Sequence, residues 1–154
     1  MKILKIVAIV ALIALIVIQF FPKKYNESET IPTTDFIVTY NPPKDVENIL
    51  RASCYDCHSN NTRYPWYNKI QPVNWYLADH VNEAKSELNF SEFGEYTQKR
   101  KIHKLEEAVK EVKNDKMPLE EYVWLHQDAG LSDVDKETLM DWLGTLELEE
   151  GQIN

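Results

Sequence analysis

Both cysteines of the chain and one of its four histidines fall within five residues, Cys54-Tyr55-Asp56-Cys57-His58. Two thiols and an imidazole at this spacing have a specific chemistry open to them. C-x-x-C-H is the attachment signature of c-type haem: the thiols add to the porphyrin vinyl groups, and the histidine after the second thiol binds the iron. Two intervening residues let both sulfurs reach neighbouring edges of one macrocycle, and the next residue falls beneath its centre. A disulfide or a thioredoxin-like redox pair also uses C-x-x-C, but neither explains the histidine, and no βαβ pattern surrounds the motif. A tetrahedral zinc site would draw on a second short-spaced pair of ligands, which the chain lacks.

An iron held on one side by His58 has a second axial position, and three residues compete for it. Met117 stands in the loop Asn114-Asp115-Lys116-Met117-Pro118-Leu119, the one methionine of three outside both a helix and the N-terminal apolar segment. A thioether is a soft ligand suited to haem iron, and Pro118 restricts the backbone before it. His80, at the edge of a helical apolar stripe, and His126, close in sequence to Met117, are the alternatives. His103, among lysines, reads as solvent-exposed, and Met140 as a filler of the last helix. Between the motif and the helix opened by Pro72 runs an aromatic loop with Tyr64, Trp66 and Tyr67. Such rings pack on something flat and apolar, here the porphyrin face or edge, and Arg63 is the first choice to pair with a haem propionate.

Helices must position these groups. Pro42-Pro43 punctuates the chain, and Val46, Ile49 and Leu50 then follow at helical spacing into Cys54. Pro72 opens a helix with Val73, Leu77, Val81, Ala84 and Leu88 on one stripe. Asn89 to Tyr96 breaks it. Ile102, Leu105, Val109 and Val112 mark the next helix, ending near Asn114, and a short helical segment spans Glu120 to His126. Ser132 with Asp135 reads as a capping box opening a last helix with Leu139, Trp142, Leu143 and Leu146 on its buried stripe. Ile37, Val38 and Tyr40 suggest a short extended piece.

From Ile6 to Phe21 only Gln19 interrupts an apolar run, with Lys2 and Lys5 ahead of it and Lys23 and Lys24 behind. The run lies between a signal-peptide core and a full span. Bulky Ile18-Gln19-Phe20-Phe21-Pro22 stands where a cleavage site needs small residues, which favours an uncleaved anchor whose flanking lysines snorkel. Extracytoplasmic haem attachment then puts the domain on the periplasmic side of the cell membrane as a single-pass protein. The chain carries a net charge of −8. Without those four lysines, 13 basic residues (17 less four) face 25 acidic ones, a net of about −12 for the exported part. An acidic surface repels phosphate, which argues against nucleic acid and suits docking to a basic partner.

The order of elements, a helix into C-x-x-C-H, further helices, a Met-Pro loop and a capped last helix, is similar to class I cytochrome c. More closely, Cys54-Tyr55-Asp56-Cys57-His58-Ser59-Asn60, then Tyr64-Pro65-Trp66-Tyr67, then Leu88-Asn89-Phe90-Ser91 resembles the small bacterial haem-binding domain family related to cytochrome c. The likeness covers about residues 41–146. Met117-Pro118-Leu119, with Tyr122 and His126, also matches the family pattern, which implies a pocket there without choosing the ligand.

The expectation is an all-α, cytochrome c-like helical domain around one covalently attached haem c, held through Cys54 and Cys57 and preceded by a membrane helix. Residues 1–22 are the anchor or signal segment, 23–42 a tether, 43–146 the haem-binding domain and 147–154 an acidic tail. The expected role is single-electron transfer through a His58/Met117-ligated haem to a redox partner protein or respiratory complex, as a carrier rather than an enzyme. The alternative is a haem sensor or peroxidase-like protein with an open or His-lined distal site.

Overall fold

The computed structural model describes residues 1–28 and 30–152. Its elements are helices α1 (Lys2–Ile18), α2 (Phe36–Tyr40), α3 (Lys44–Ser53), α4 (Tyr55–His58), α5 (Val73–Glu87), α6 (Gln98–Lys113), α7 (Glu120–Leu125) and α8 (Asp133–Gln152), with short 3-10 turns at Trp66–Lys69, Phe90–Glu95 and Gln127–Ala129. No strand occurs among the described residues, and the fold is all-α as the periodicity predicts.

The core forms where the apolar stripes of α3, α6 and α8 meet: Val46, Leu50, Leu105, Val112, Leu139 and Leu143 are all buried. Phe36, fully buried, sits at its centre with ring centroids of Tyr40, Phe90, Phe93 and Trp142 between 4.8 and 5.7 Å away. Local chemistry sets the helix starts. Thr97 caps α6 by accepting from Arg100 N–H. At α8, Ser132 and Asp135 make the reciprocal capping-box bonds: Asp135 N–H donates to Ser132 Oγ at 3.1 Å, and Ser132 N–H to Asp135 Oδ2 at 3.0 Å. Gly94 answers a close approach, since a Cβ there would stand 2.9 Å from Thr34 Cα.

Three parts differ from the expectation. Ile37 to Tyr40 is helical rather than extended, because Asp35 caps α2 by accepting from Ile37 N–H. The buried face of α5 is Asn74, Ala78 and Val81, rotated from the predicted stripe, because the Asn74 carboxamide is drawn inward onto Lys24 and Asn68. The acidic tail is not a separate frayed piece: α8 continues through Gln152, and buried Glu150 accepts from the Tyr40 hydroxyl and pairs with Lys101 at 3.4 Å. Ile153 and Asn154 of that tail lie outside the described residues.

Residues 23–42, read as a tether, lie along the domain, and α2 contributes Phe36 and Ile37 to the core. Lys24 N–H donates to Asn74 Oδ1 and Asn74 Nδ2 to Lys24 O, both at 2.9 Å. Asn26 Nδ2 donates to Ser59 O at 2.7 Å, and Asn26 N–H to the Tyr64 hydroxyl oxygen at 2.7 Å. Glu29 of this stretch is outside the described residues. Helix α1 has no buried residue. Its 17 residues give a rise of about 25 Å against a hydrocarbon core of about 30 Å, and no helix among the described residues is long and apolar enough to cross a membrane.

Candidate functional site

Helix α3 ends at Cys54, whose N–H donates to Leu50 O at 2.9 Å. The chain then turns once: Cys57 and His58 N–H groups both donate to Cys54 O, at 3.2 and 3.0 Å. That turn, α4, brings Cys54 and His58 onto the wall of one cavity of about 310 Å³, within the size range of small-molecule sites. The lining is largely apolar, with Leu50, Leu88, Phe90, Val112, Leu139 and Leu143. Met117, carried by the loop after α6, lines the same cavity.

The His58 ring is fixed from behind. Its Nδ1–H donates to Leu88 O at 3.0 Å, which sets the tautomer and leaves Nε2 as the free lone pair. Burial holds His58 below the usual imidazole range, so the ring is neutral, as a metal ligand must be. The next residues are locked to the loop after α5. Asn60 N–H donates to Ser91 Oγ at 3.0 Å, Asn89 Nδ2 to Asn60 Oδ1 at 3.0 Å, and Ser91 N–H to Asn89 Oδ1 at 3.1 Å. Phe90 stacks flat on Tyr55 at 5.1 Å and meets the His58 ring edge-on at 6.2 Å. Leu88-Asn89-Phe90-Ser91 is therefore a clamp that orients the histidine.

Both thiols are free. Burial pushes Cys54 up to about 12 and Cys57 up to about 11, so at neutral pH they are S–H groups rather than thiolates of a redox pair. Among the described residues no group of three or more His, Cys, Asp or Glu side chains is arranged to hold a metal ion by itself, against the zinc alternative. The Cys54 thiol, the neutral His58 imidazole and the Met117 thioether line one apolar cavity, with Cys57 outside its lining but in the same turn, and this donor set fits a haem. A family model described as the haem-binding domain matches residues 13–145. The chain belongs to the haem-binding domain family. No curated protein and no solved structure gave a significant match.

Other residues expected at the haem lie elsewhere in this haem-binding domain. Arg63 is committed to Asp56, the inner residue of the motif: its N–H and Nε both reach Oδ1 at 3.1 Å, and Nη2 reaches Oδ2 at 3.2 Å. Asp56, buried, also accepts from the Tyr122 hydroxyl at 2.7 Å. Arg63, read as a propionate partner, is thus paired with a carboxylate of its own chain and does not line the cavity. The cations on the cavity wall are Lys104 and Lys110, which the sequence offered no reason to single out. Tyr64 packs edge-on against Tyr25 at 5.2 Å, and Trp66 is 74 % exposed, so neither lines the cavity. Tyr64 faces the docked 25–26 segment instead.

Neither alternative histidine lines the cavity. His80 donates from Nδ1 to Tyr76 O at 2.9 Å, within its own helix. His126 is held between tyrosines: its Nδ1 donates to Tyr122 O at 3.2 Å, and its Nε2 accepts from the Tyr67 hydroxyl at 3.3 Å. His103 is exposed and pairs with Glu107 at 3.3 Å.

Proposed function

We propose that this chain is a membrane-tethered, mono-haem c-type cytochrome domain that passes single electrons to a redox partner protein or respiratory complex. One observation carries the reading: His58 and Met117 line one apolar cavity, whereas His80, His103 and His126 are engaged outside it.

In this reading Cys54 and Cys57 hold the haem through two thioether bonds, His58 Nε2 is the proximal ligand and Met117 Sδ the distal one. The bound haem supplies reversible one-electron chemistry, with a potential raised by thioether ligation. The chain's own work is to hold and to insulate. Leu88 O and the Asn89–Ser91 clamp keep His58 aimed, and Leu50, Phe90, Leu139 and Leu143 keep water from the ligands. Lys104 and Lys110 are the cations on the cavity wall, Lys104 being paired with Glu107 at 2.6 Å and Glu87 at 3.4 Å. A haem held by both His58 and Met117 would suit a carrier rather than an enzyme.

Helix α1, apolar on every face from Ile6 onward and without a buried residue, supports the anchor. Gln19-Phe20-Phe21 extends the apolar stretch beyond its end. The domain then stands on the periplasmic face.

The deciding experiment is an absorption and magnetic circular dichroism spectrum of the haem-loaded protein in both oxidation states. The ferric protein is expected to show the far-red charge-transfer band of a thioether ligand, and Met117→Ala to abolish it. A wild-type protein without that band, binding carbon monoxide rapidly when reduced, overturns the reading in favour of an open-site sensor or peroxidase-like protein.

A further inference from the structure

The segment joining α1 to the domain is strapped down at every second or third residue. The Gln19 carboxamide donates to Gln71 O at 2.9 Å and accepts from Gln71 N–H at 3.0 Å, so it pairs with both backbone groups of one residue. Phe21 meets Trp75 edge-to-face at 6.0 Å. Lys24 is paired through its backbone with Asn74, and Asn26 reaches Ser59 O beside the C-x-x-C-H turn. Gln71 and Asn74, the receiving residues, are 1 % and 0 % exposed. Asn26 follows Gln19 by seven positions, at most about 25 Å of chain. A freely swinging tether would have none of these bonds.

Around the junction the surface is apolar and aromatic: Phe20 is 85 % exposed, Phe21 52 %, Ile70 44 % and Tyr76 57 %. Lys23, Lys24 and Lys69 stand beside them in the chain. Exposed rings and lysine stems at the end of an apolar helix are the composition of a membrane–water interface. The patch continues the apolar surface of α1, so whatever solvates α1 also meets the patch.

We propose that the domain is clamped to the bilayer surface, with Phe20, Phe21, Ile70 and Tyr76 seated in the phospholipid headgroup layer and the haem cavity held at a fixed height above it. This rests on the anchoring part of the proposed function. The occupant of the shoulder is lipid, and the redox partner must present its own centre close to the membrane plane.

The test uses the full, haem-loaded chain in phosphatidylcholine nanodiscs, reduced, with spin labels at Ile9→Cys, Ile70→Cys or Glu137→Cys, and compares accessibility to oxygen and to a water-soluble nickel chelate. The Ile9 label is expected to be oxygen-accessible, the Ile70 label to lose nickel accessibility, and the Glu137 label on α8 to keep it. Gln19→Ala with Phe21→Ala is expected to restore nickel access at Ile70 and leave Ile9 unchanged. An oxygen-accessible Ile9 with a nickel-accessible Ile70 overturns the clamp and leaves anchoring standing, while a nickel-accessible Ile9 overturns both. Dipolar broadening between Ile70 labels would mean that a second copy covers the shoulder, which also overturns the proposal.

Discussion

Replacing Tyr122 by Phe removes one hydroxyl and leaves the ring, which stays stacked on His126 at 4.3 Å. What is lost is the 2.7 Å bond to Asp56 Oδ2, the only hydrogen bond from α7 to the C-x-x-C-H turn among those of the described residues. Burial first, and then the Asp56 carboxylate, push the Tyr122 phenol up, so it remains a donor throughout the working pH range. A hydrogen bond to a charged acceptor contributes about 1.5–3 kcal/mol. Tyr122 is half-buried and Asp56 keeps its contacts to Arg63, so the lower end applies, about 1.5 kcal/mol. In urea denaturation of the haem-loaded protein this is a readable fall in midpoint with unchanged slope. A second consequence follows from the chain path, because the Met117 loop runs directly into α7. Freed from Asp56, that loop opens more often, by roughly tenfold for 1.4 kcal/mol, and exogenous imidazole displaces the thioether correspondingly faster. A Tyr122→Phe protein with the wild-type urea midpoint and the wild-type imidazole rate would refute the argument.

Asn89→Ala breaks two buried bonds, to Asn60 and from Ser91, and is expected to cost about 2 kcal/mol and lower the haem-to-protein ratio of purified material, measured by pyridine haemochrome. Ser132→Ala is expected to cost about 1 kcal/mol through loss of the α8 cap. The Ser132 hydroxyl, and then its N–H, hold the Asp135 carboxyl below the usual carboxylate range. Its stabilisation is therefore full above the unfolded value of about 4 and lost as pH falls through the folded one, so the variant's stability should fall less steeply below pH 4, read by thermal melts across pH. Deleting residues 148–154 removes Glu150 from Tyr40 and from Lys101 and should destabilise by about 2 kcal/mol in urea titrations, where a solvated tail would cost nothing.

The haem-binding character was legible because its signal is local: five adjacent residues carry both thiols and an imidazole. The helices were legible for the same reason, since the i, i+3, i+4 spacing of Val46, Ile49 and Leu50 or of Leu139, Trp142, Leu143 and Leu146 needs no partner to be seen. Arg63 shows where this stops. Its type suits a carboxylate, but spacing cannot say whether that carboxylate belongs to a propionate or to Asp56, seven residues away. The aromatic loop was read as packing on the porphyrin, yet Tyr64 packs on the segment at Tyr25 and Asn26, a contact between distant parts of the chain, and Trp66 is exposed. Glu150 is the clearest limit: among acidic neighbours it reads as solvated, and its fate is decided by a tyrosine 110 positions earlier. The role of Asn89 and Ser91 had a signal, since Leu88-Asn89-Phe90-Ser91 stood out by resemblance, but only the bonds to Asn60 give it a mechanical meaning.

The bond from His58 Nδ1 to Leu88 O also sets the electronic character of the ring. A histidine that donates to a carboxylate shares its proton with a base, gains imidazolate character and pushes electron density toward whatever its other nitrogen binds. A peptide carbonyl is a far weaker base and has no protonation change in any physiological range. His58 is therefore a moderate and constant donor: acidification outside the chain leaves unaltered its push on whatever Nε2 binds, while the surrounding carboxylates titrate.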